Sequence, residues 1–584
     1  MLSRSHRRLC SAPLICALVA IVGAACTSKE TTSSLTAPPP APAPTPTTPA
    51  GAVTLAVGGT APLAVSSTLT LAGGSSGGEY ALIVSDTALD GTATAASFQL
   101  TAASIAAPGS VSAPSTSLAP DASASRALVH DFSYAARLNA RAQRELVPLF
   151  ASARRAYAAR ATAGSVLGRS ASVASAAVQV GDIISLNVSE LACDSIAPRA
   201  ARVVAIGSTS IIVADTLNPQ GGFTTADYQR FAAQFDTVVY PIDVANFGAP
   251  AAFGPEGKIL LFFTSAVNAL TPKGSTSYVG GFFFSRDQFP VSATPDLQGC
   301  KGSNARNLFY LLTPDPLGTI NGNVRRTGFV DSVTITVITH EFQHLINSSR
   351  RLYVNANVRS FEVTWLNEGL SHIAEELLFY HEGKSAPRLN LDVNALRGSV
   401  ALKDAFNADQ SSNAARYREY LIAPSTNSPI SLNDSLATRG ATWDLLRYLA
   451  DRKLRGGGTD ASIWFALVNS TTSGVANLRQ VFGSNVGAML RDWSVSQYTD
   501  DNVTGISEDL TQPSWNWRSI YPALGARGAS YPLQVSSLTT AGATETVIPG
   551  GARFYRFAVA ANASASLSLS AASPVVQGTV VRIR

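Results

Sequence analysis

Alternating apolar and polar residues predict β structure at both ends of the chain. Residues 51–110 alternate in short steps between Gly-rich turns, a pattern typical of a small β-sandwich. Residues 177–215 and the stretch from 530 onward alternate in the same way. Residues 258–267 and 278–287 are strongly apolar and predict two more strands. The pattern therefore predicts several sheets.

Apolar residues recur at helical spacing in three other regions. Residues 128–161 carry several arginines on one side, which favours one or two solvated amphipathic helices, with a lid-like or inhibitory segment as the alternative. Residues 224–242 predict a helix that leads into an extended segment. From 331 to 500 the chain is mainly helical. Together with the strands, this predicts an α+β fold with several domains.

Length and charge agree with several domains and argue against nucleic acid as a partner. The chain has 584 residues, enough for about three to five domains. Only 14% of the residues are charged, and the net charge is +5. No basic stripe with interleaved aromatic residues is present in the sequence. We therefore expect no binding to nucleic acid.

The first residues predict export. A positively charged start is followed by an apolar core at 14–22 and by GAAC at 23–26, which resembles a bacterial lipoprotein signal with lipid on Cys26. An ordinary secretory signal cleaved near Ala25 is the alternative. The Pro/Thr-rich residues 27–50 are typical of a semi-rigid tether. We expect a protein of the bacterial cell envelope, attached to the membrane through Cys26, or secreted.

Five cysteines give one candidate disulfide. Cys10 and Cys16 would leave with the signal, and Cys26 would carry lipid. In an exported protein, the remaining Cys193 and Cys300 are expected to pair, since this environment is oxidising. Two separately buried cysteines are the alternative.

The stretch THEFQHLINSS holds the candidate chemistry. It is rich in β-branched residues, but its apolar stripe and its length favour a buried helix. On a helix His340 and His344 lie on one face and can bind a single ion, for which Zn²⁺ is suited. Glu341 is rotated by about 100° and can hold a water molecule beside the ion. The alternative is a pair of core histidines, which the chain's scarcity of histidine, six in all, disfavours.

A third ligand is expected from residues 364–381, TWLNEGLSHIAEELLFYH. Glu368 points away from the apolar stripe of this predicted helix and shares a face with His372. Catalytic zinc sites usually have three protein ligands and one open position. We predict Glu368 as the third ligand. His372 would then hydrogen-bond a ligand. The alternatives are that His372 is a fourth or alternative ligand, or that it merely lines the cleft.

HEFQH followed by WLNEGLS resembles the gluzincin metallopeptidases, and within them most closely the hyicolysin type. The resemblance is strongest over 331–378 and weaker over 440–452 and 482–493. It implies a zincin-like domain with a mainly helical C-terminal half. His340, His344 and Glu368 would be zinc ligands, and Glu341 would be the general base.

The resemblance also bears on the type of peptidase. The aminopeptidase branch shares WLNEG but needs a Gly-x-Met-Glu-Asn strand, and this chain has methionine only at Met1 and Met489. An endopeptidase acting on protein or peptide substrates is therefore preferred. The GGFFF strand near residue 280 is a candidate edge strand for an extended peptide, with ordinary sheet core as the alternative.

The oxyanion donor is left open. Relatives often have a Tyr before a Gly where this chain has Arg439 before Gly440. Arg439, Tyr417, Tyr420 and Tyr448 are therefore all candidates.

The rival hypothesis is a non-catalytic surface lipoprotein that uses a zincin-like fold and β modules for binding. A structural zinc site is disfavoured, because such sites usually fill all four positions with Cys and His. The predicted division of the chain is a lipoprotein-type signal (1–26), a tether (27–50), a small β-sandwich with a linker (51–125), a helical segment (126–170), a β-rich module (171–240), a zinc metallopeptidase domain (241–520) and a C-terminal β-sandwich-like domain (521–584).

Overall fold

Helices and several sheets make up the computed structural model, which confirms an α+β fold. It describes residues 51–91, 94–109, 129–130, 133–162, 178–191, 193–275, 277–292, 298–355, 357–524 and 530–584. The predicted signal and tether lie outside these ranges. Within them, no helix combines the length and the apolar character needed to cross a membrane.

The strands, in chain order, are β1 (Thr60–Leu63), β2 (Ser67–Ala72), β3 (Gly78–Asp86), β4 (Ala96–Ala103), β5 (Val129–His130), β6 (Ile183–Asn187), β7 (Pro198–Ile206), β8 (Ser210–Asp215), β9 (Ile259–Phe263), β10 (Ser277–Tyr278), β11 (Gly281–Phe283), β12 (Leu308–Leu311), β13 (Val535–Ser537), β14 (Ala543–Val547), β15 (Ala552–Val559), β16 (Ser564–Ala571) and β17 (Val576–Arg582).

The helices are α1 (Ser133–Glu145), α2 (Phe150–Thr162), α3 (Thr225–Gln234), α4 (Tyr240–Phe247), α5 (Ser265–Ala269), α6 (Thr327–Ser349), α7 (Thr364–Glu382), α8 (Val393–Gly398), α9 (Val400–Ala405), α10 (Ser411–Ile422), α11 (Leu436–Leu454), α12 (Asp460–Val468), α13 (Gly474–Phe482), α14 (Val486–Thr499) and α15 (Trp517–Ala523).

Strands from the two ends of the chain build two sheets that share one hydrophobic core. Their strand orders are β1-β17-β3-β15-β13 and β14-β4-β16-β2, so early and late strands interleave in both. Leu82 and Leu100 from the first part of the chain share a core with Phe557 and Leu567 from the last part. The sequence predicts two separate β modules here. Alternation identifies a strand but not its partner, which is why this pairing was not predicted.

A six-stranded sheet supports the candidate site. Its order is β11-β12-β9-β8-β7-β6, with β8, β9 and β12 parallel and the other pairs antiparallel. It therefore crosses the predicted boundary between the β-rich module and the peptidase domain. β11, the strand predicted near residue 280, lies at the edge of this sheet and pairs there only with β12. Every residue of β9 is buried, so both faces of the strand are covered, as expected at the centre of a sheet.

Close helix packing next to the sheet depends on two glycines. A Cβ on Gly440 of α11 would lie 2.2 Å from the backbone of α10, at the carbonyl carbon of Arg416 and the amide nitrogen of Tyr417. A Cβ on Gly369 of α7 would lie 2.6 Å from Cγ2 of Thr442 on α11. The absence of a side chain at both positions lets α11 approach its two neighbours.

Two further predictions have different outcomes. Cys193 and Cys300 form a disulfide, as predicted. The extended segment predicted at the end of 224–242 is wrong, because residues 235–239 form a π-helical turn that continues into α4. Pro241 lies just after this turn and has no N–H to donate, so the π-helical turn marks the point where the regular helical hydrogen bonding is interrupted.

Candidate metal centre

Helix α6 carries the HEFQH motif through the core. Ile338, Phe342, Leu345 and Ile346 are all fully buried, so packing outweighs the low helix propensity of the β-branched residues nearby. The buried threonines satisfy their hydroxyls within the helix. Thr339 Oγ1, for example, donates to the carbonyl of Ile335 one turn earlier, at 2.9 Å. The predicted helix is therefore present.

His340 and His344 face each other on α6 as the i, i+4 spacing predicts. Their Nε2 atoms are 3.1 Å apart, and the two rings are nearly perpendicular, at 86°. His340 is 1% exposed and His344 4%. Two imidazole nitrogens aimed at the same point inside the protein are well placed to bind one cation.

Glu368 on α7 completes a group of three donors. Its Oε2 is 3.5 Å from Nε2 of His340 and 3.6 Å from Nε2 of His344. The donor atoms of the three residues all lie within 4.8 Å of one another, and all three residues are buried. The structure thus brings together the three ligands predicted from the sequence.

Glu341 lies in the same buried region. It is 0% exposed, and neither of its carboxylate oxygens makes a regular hydrogen bond among the described residues, although the backbone N–H of Phe283 lies near enough to lower its pKa. Burial raises the pKa of Glu341 to about 8, an effect that the nearby His344 partly offsets. Buried acceptors without a regular hydrogen bond are costly, so this carboxylate points to a ligand or solvent molecule at the site.

Arg439 on α11 contacts the third ligand. Its Nη1 donates to Oε2 of Glu368, while its Nε and Nη2 donate to the two carboxylate oxygens of Asp434, at 2.8 and 2.7 Å. Burial alone would raise the pKa of Glu368, but Arg439 and His344 hold it well below its ordinary value. Glu368 is therefore ionised, as a metal ligand must be.

The three tyrosines named as oxyanion candidates form hydrogen bonds with residues in the range 497–512 instead. Tyr448 donates to the carbonyl of Asp509 at 2.6 Å. The hydroxyls of Tyr417 and Tyr420 accept from Gln512 and Gln497, at 3.5 and 3.4 Å. Among the described residues, Arg439 is the candidate that contacts a predicted zinc ligand, Glu368.

Each histidine of the motif also has a partner on its Nδ1 side. Oε1 of Glu375 lies 2.8 Å from Nδ1 of His340, and Oγ of Ser371 lies 3.0 Å from Nδ1 of His344. Both partners come from α7, and neither was predicted from the sequence to contact a ligand. Glu375 follows Glu368 by seven residues, two helical turns, so a search for polar residues on the ligand-bearing face would have found it.

His372 lies behind the first group of donors. It is fully buried, and its Nδ1 is 3.1 Å from Oε1 of Glu375. His340, His372 and Glu375 form a second group of three residues with donor atoms within 4.8 Å. Nδ1 of His340 faces this second group, while Nε2 faces Glu368. The two groups therefore share one imidazole.

A small cavity of about 40 Å³ reaches the site. His344 and Glu368 contribute to its wall, together with Phe283 on β11 and with Leu138 and Asn139 on α1. This space is sufficient for a water molecule, which needs roughly 10–15 Å³, but is far below the roughly 300 Å³ at which small-molecule sites begin.

Two imidazoles and one ionised carboxylate suit Zn²⁺, which commonly takes such a set with one position left open. The fully buried carboxylate of Glu341 fits a site where a water molecule is held beside the ion. Comparisons with protein-family models and with curated proteins gave no match for this chain. The resemblance to gluzincin peptidases therefore stays a prediction from the motifs.

Proposed function

We propose that the protein is an exported zinc-dependent endopeptidase. The observation that carries this proposal is the convergence of His340, His344 and Glu368 next to the fully buried carboxylate of Glu341. We also propose that the six-stranded sheet and helices α6 and α7 form a zincin-like domain.

The proposed chemistry divides between the ion and the chain. Bound zinc would polarise the scissile carbonyl and acidify a water molecule. Glu341 takes a proton from the attacking water and later passes it to the leaving amine. Burial raises the pKa of Glu341, and a cation bound beside it would lower that pKa again, which brings it towards the neutral range where one group can both take and return a proton.

Arg439 is the proposed oxyanion donor. Its guanidinium is fully buried and contacts Glu368, which brings a fixed positive charge to the ligand that faces both histidines. Fixed charge in a buried site stabilises the negative charge that develops on the carbonyl oxygen. Asp434 holds the guanidinium through two hydrogen bonds, so little reorganisation is needed during the reaction.

An endopeptidase must bind its substrate on both sides of the scissile bond. β11 is a sheet edge beside the cavity, and an extended peptide can add to such an edge through its backbone. We propose protein or unfolded peptide as the substrate. Attachment to the cell envelope through a lipidated Cys26 is part of the same proposal.

The test is the Glu341→Gln variant of the full chain. We expect it to keep zinc, because Gln replaces the base and none of the three ligands, and to lose casein cleavage. Glu376→Gln is the matched control, since Glu376 is also a fully buried glutamate but contacts Trp515. Cleavage by Glu341→Gln at the wild-type rate would refute the assigned base. A wild-type protein that binds zinc but cleaves nothing would favour the rival binding lipoprotein.

A further inference from the structure

A buried cluster of three residues lies behind His340. The support cluster consists of Glu375 and His372 on α7 and Arg416 on α10. Oε1 of Glu375 contacts both His340 and His372, at 2.8 and 3.1 Å, and its Oε2 accepts from Nη1 of Arg416 at 3.2 Å. All three members are at most 2% exposed. A charged cluster this deep is costly unless it is fully paired.

Helix α7 holds His340 at both nitrogens. Glu368 faces Nε2 and Glu375 faces Nδ1, and the seven-residue spacing places the two carboxylates on one side of the helix. A carboxylate at Nδ1 fixes the tautomer with a proton on that nitrogen and leaves the Nε2 lone pair for a cation. The geometry therefore determines which nitrogen of His340 can act as a ligand.

A cation already lies beside the second group of donors. Nη1 of Arg416 is 3.2 Å from Oε2 of Glu375 and 3.3 Å from Nδ1 of His372. A divalent ion bound by these two residues would lie within a few ångströms of the guanidinium, and like charges at that distance in a buried site repel strongly. Arg416 also donates to Asn413 Oδ1 at 2.6 Å, which holds the guanidinium in place.

We propose that Glu375 is a positioning residue that orients His340 toward the metal ion, and that the support cluster is not a metal site of its own. Arg416 supplies the positive charge that a second ion would otherwise provide. This inference rests on the metal site of the proposed function.

Metal content tests which group holds the ion. Purified full-length chain, loaded with zinc and dialysed, should contain one zinc per chain. His344→Ala should lose it, whereas His372→Ala should keep it, because His372 belongs only to the second group. Two zinc ions in the wild type, or loss of zinc in His372→Ala with retention in His344→Ala, would overturn the inference.

Metal affinity tests the positioning role. In competition with a chromophoric chelator, Glu375→Ala should bind zinc about 10- to 100-fold more weakly than the wild type. Glu375→Gln keeps an oxygen that can accept from His340, so its zinc affinity should fall less. Glu376→Gln, one residue further on α7, controls for loss of a buried charge and should bind zinc as the wild type does. A melting curve of each zinc-free variant shows whether it has folded.

A cobalt spectrum separates this inference from the proposed function. With Co²⁺ in place of zinc, the visible bands of Glu375→Gln should shift relative to those of the wild type, since the orientation of His340 changes. Folded Glu375 variants with wild-type zinc affinity and wild-type cobalt bands would refute the positioning role. A wild type that binds zinc but cleaves no peptide would refute only the proposed function.

A second, independent observation concerns helices α1 and α2. Leu138 and Asn139 on α1 line the same cavity as His344 and Glu368. Tyr134 packs edge-on against Phe282 of β11, with ring centroids 4.9 Å apart. β5, just before α1, pairs with β10, two residues ahead of β11. These elements thus lie along the edge that an extended peptide would use.

Arg154 fixes the helices to the body of the domain. Its guanidinium donates to the carbonyls of Arg351, Leu352 and Val358 at 2.7 to 2.8 Å, all in the segment after α6. Gln143 adds a hydrogen bond from its side-chain amide to the carbonyl of Glu362, at 2.9 Å. We infer that α1 and α2 cover the substrate cleft and must move before a protein chain can enter.

The test compares full-length Arg154→Ala with Arg144→Ala, whose arginine is exposed on α1. We expect Arg154→Ala to release zinc to 1,10-phenanthroline several-fold faster and to cleave casein several-fold faster, and Arg144→Ala to match the wild type. Gln143→Ala provides a milder variant if Arg154→Ala does not fold. Unchanged zinc release, or slower casein cleavage in these variants, would show that the helices do not cover the cleft. Faster zinc release without any cleavage by wild type or variants would count against the proposed function alone.

Discussion

The crossing of α10 and α11 at Gly440 gives a quantitative prediction. A Cβ at this position would lie 2.2 Å from two backbone atoms of α10, whereas ordinary contacts are 3.4–4 Å, so one helix must move by more than 1 Å. Overpacking of a core costs about 1–3 kcal/mol, and a clash with backbone belongs at the upper end. Alanine gains about 1 kcal/mol over glycine in a helix. We therefore expect Gly440→Ala to be destabilised by about 2 kcal/mol.

Tryptophan fluorescence during urea unfolding is the suitable assay. The six tryptophans all lie between residues 365 and 517, so the signal reports the helical domain and not the β-sandwich. With a slope of about 2–3 kcal/mol per molar urea, the expected loss lowers the midpoint by roughly 0.7–1 M. Casein cleavage should fall as well, up to about 100-fold, because α10 carries Arg416 and α11 carries Arg439.

Two other glycines serve as controls for the same substitution. Gly328 lies exposed in the first turn of α6, and a Cβ there meets nothing within 4 Å, so Gly328→Ala should be neutral or slightly stabilising. At Gly369 the clash is with the methyl ends of Thr442 and Leu446, which can rotate away, and the effect should be intermediate. A midpoint for Gly440→Ala at or above the wild-type value would refute the packing argument.

Three further predictions concern separate parts of the molecule. Arg439→Ala should lower kcat by about 10²- to 10³-fold with little change in KM, measured on a quenched peptide, if its charge acts on the oxyanion. Burial raises the pKa of Asp243 well above its ordinary value. The folded chain therefore keeps a proton that the unfolded chain releases at about pH 4. Because the folded state binds more protons, the free energy of unfolding should fall as the pH rises above about 4. Asp243→Asn should remove this dependence and be more stable than the wild type at pH 8, by about 1–3 kcal/mol in urea unfolding. Replacing Cys193 and Cys300 by serine should cost about 2–5 kcal/mol, and reductant should lower the melting temperature of the wild type only.

Local geometry explains which site residues could be predicted. His340 and His344 need only the i, i+4 spacing of one helix, and Glu368 needs the polar face of the next, so the sequence places all three. Glu375 lies on that same face and was within reach of the same reasoning. Arg416 was not, because its position depends on how closely α10 approaches α11 at Gly440, a tertiary contact.

The same distinction holds for the fold. Alternation located most strands, yet nothing in it showed that β3 pairs with β15 and β17, almost 500 residues away along the chain. The segment around Val238 and Val239 looked extended because β-branched residues favour strands, but Val239 packs into the helical core and that burial decides its conformation.

The interleaved sandwich makes the two ends of the chain depend on each other in time. β3 occupies the middle of its sheet, yet both of its neighbours are made more than 460 residues later. Until those strands have been synthesised, both edges of β3 stay unpaired, and open strand edges invite aggregation. The sandwich therefore cannot close around β3 until the chain has been made as far as β17.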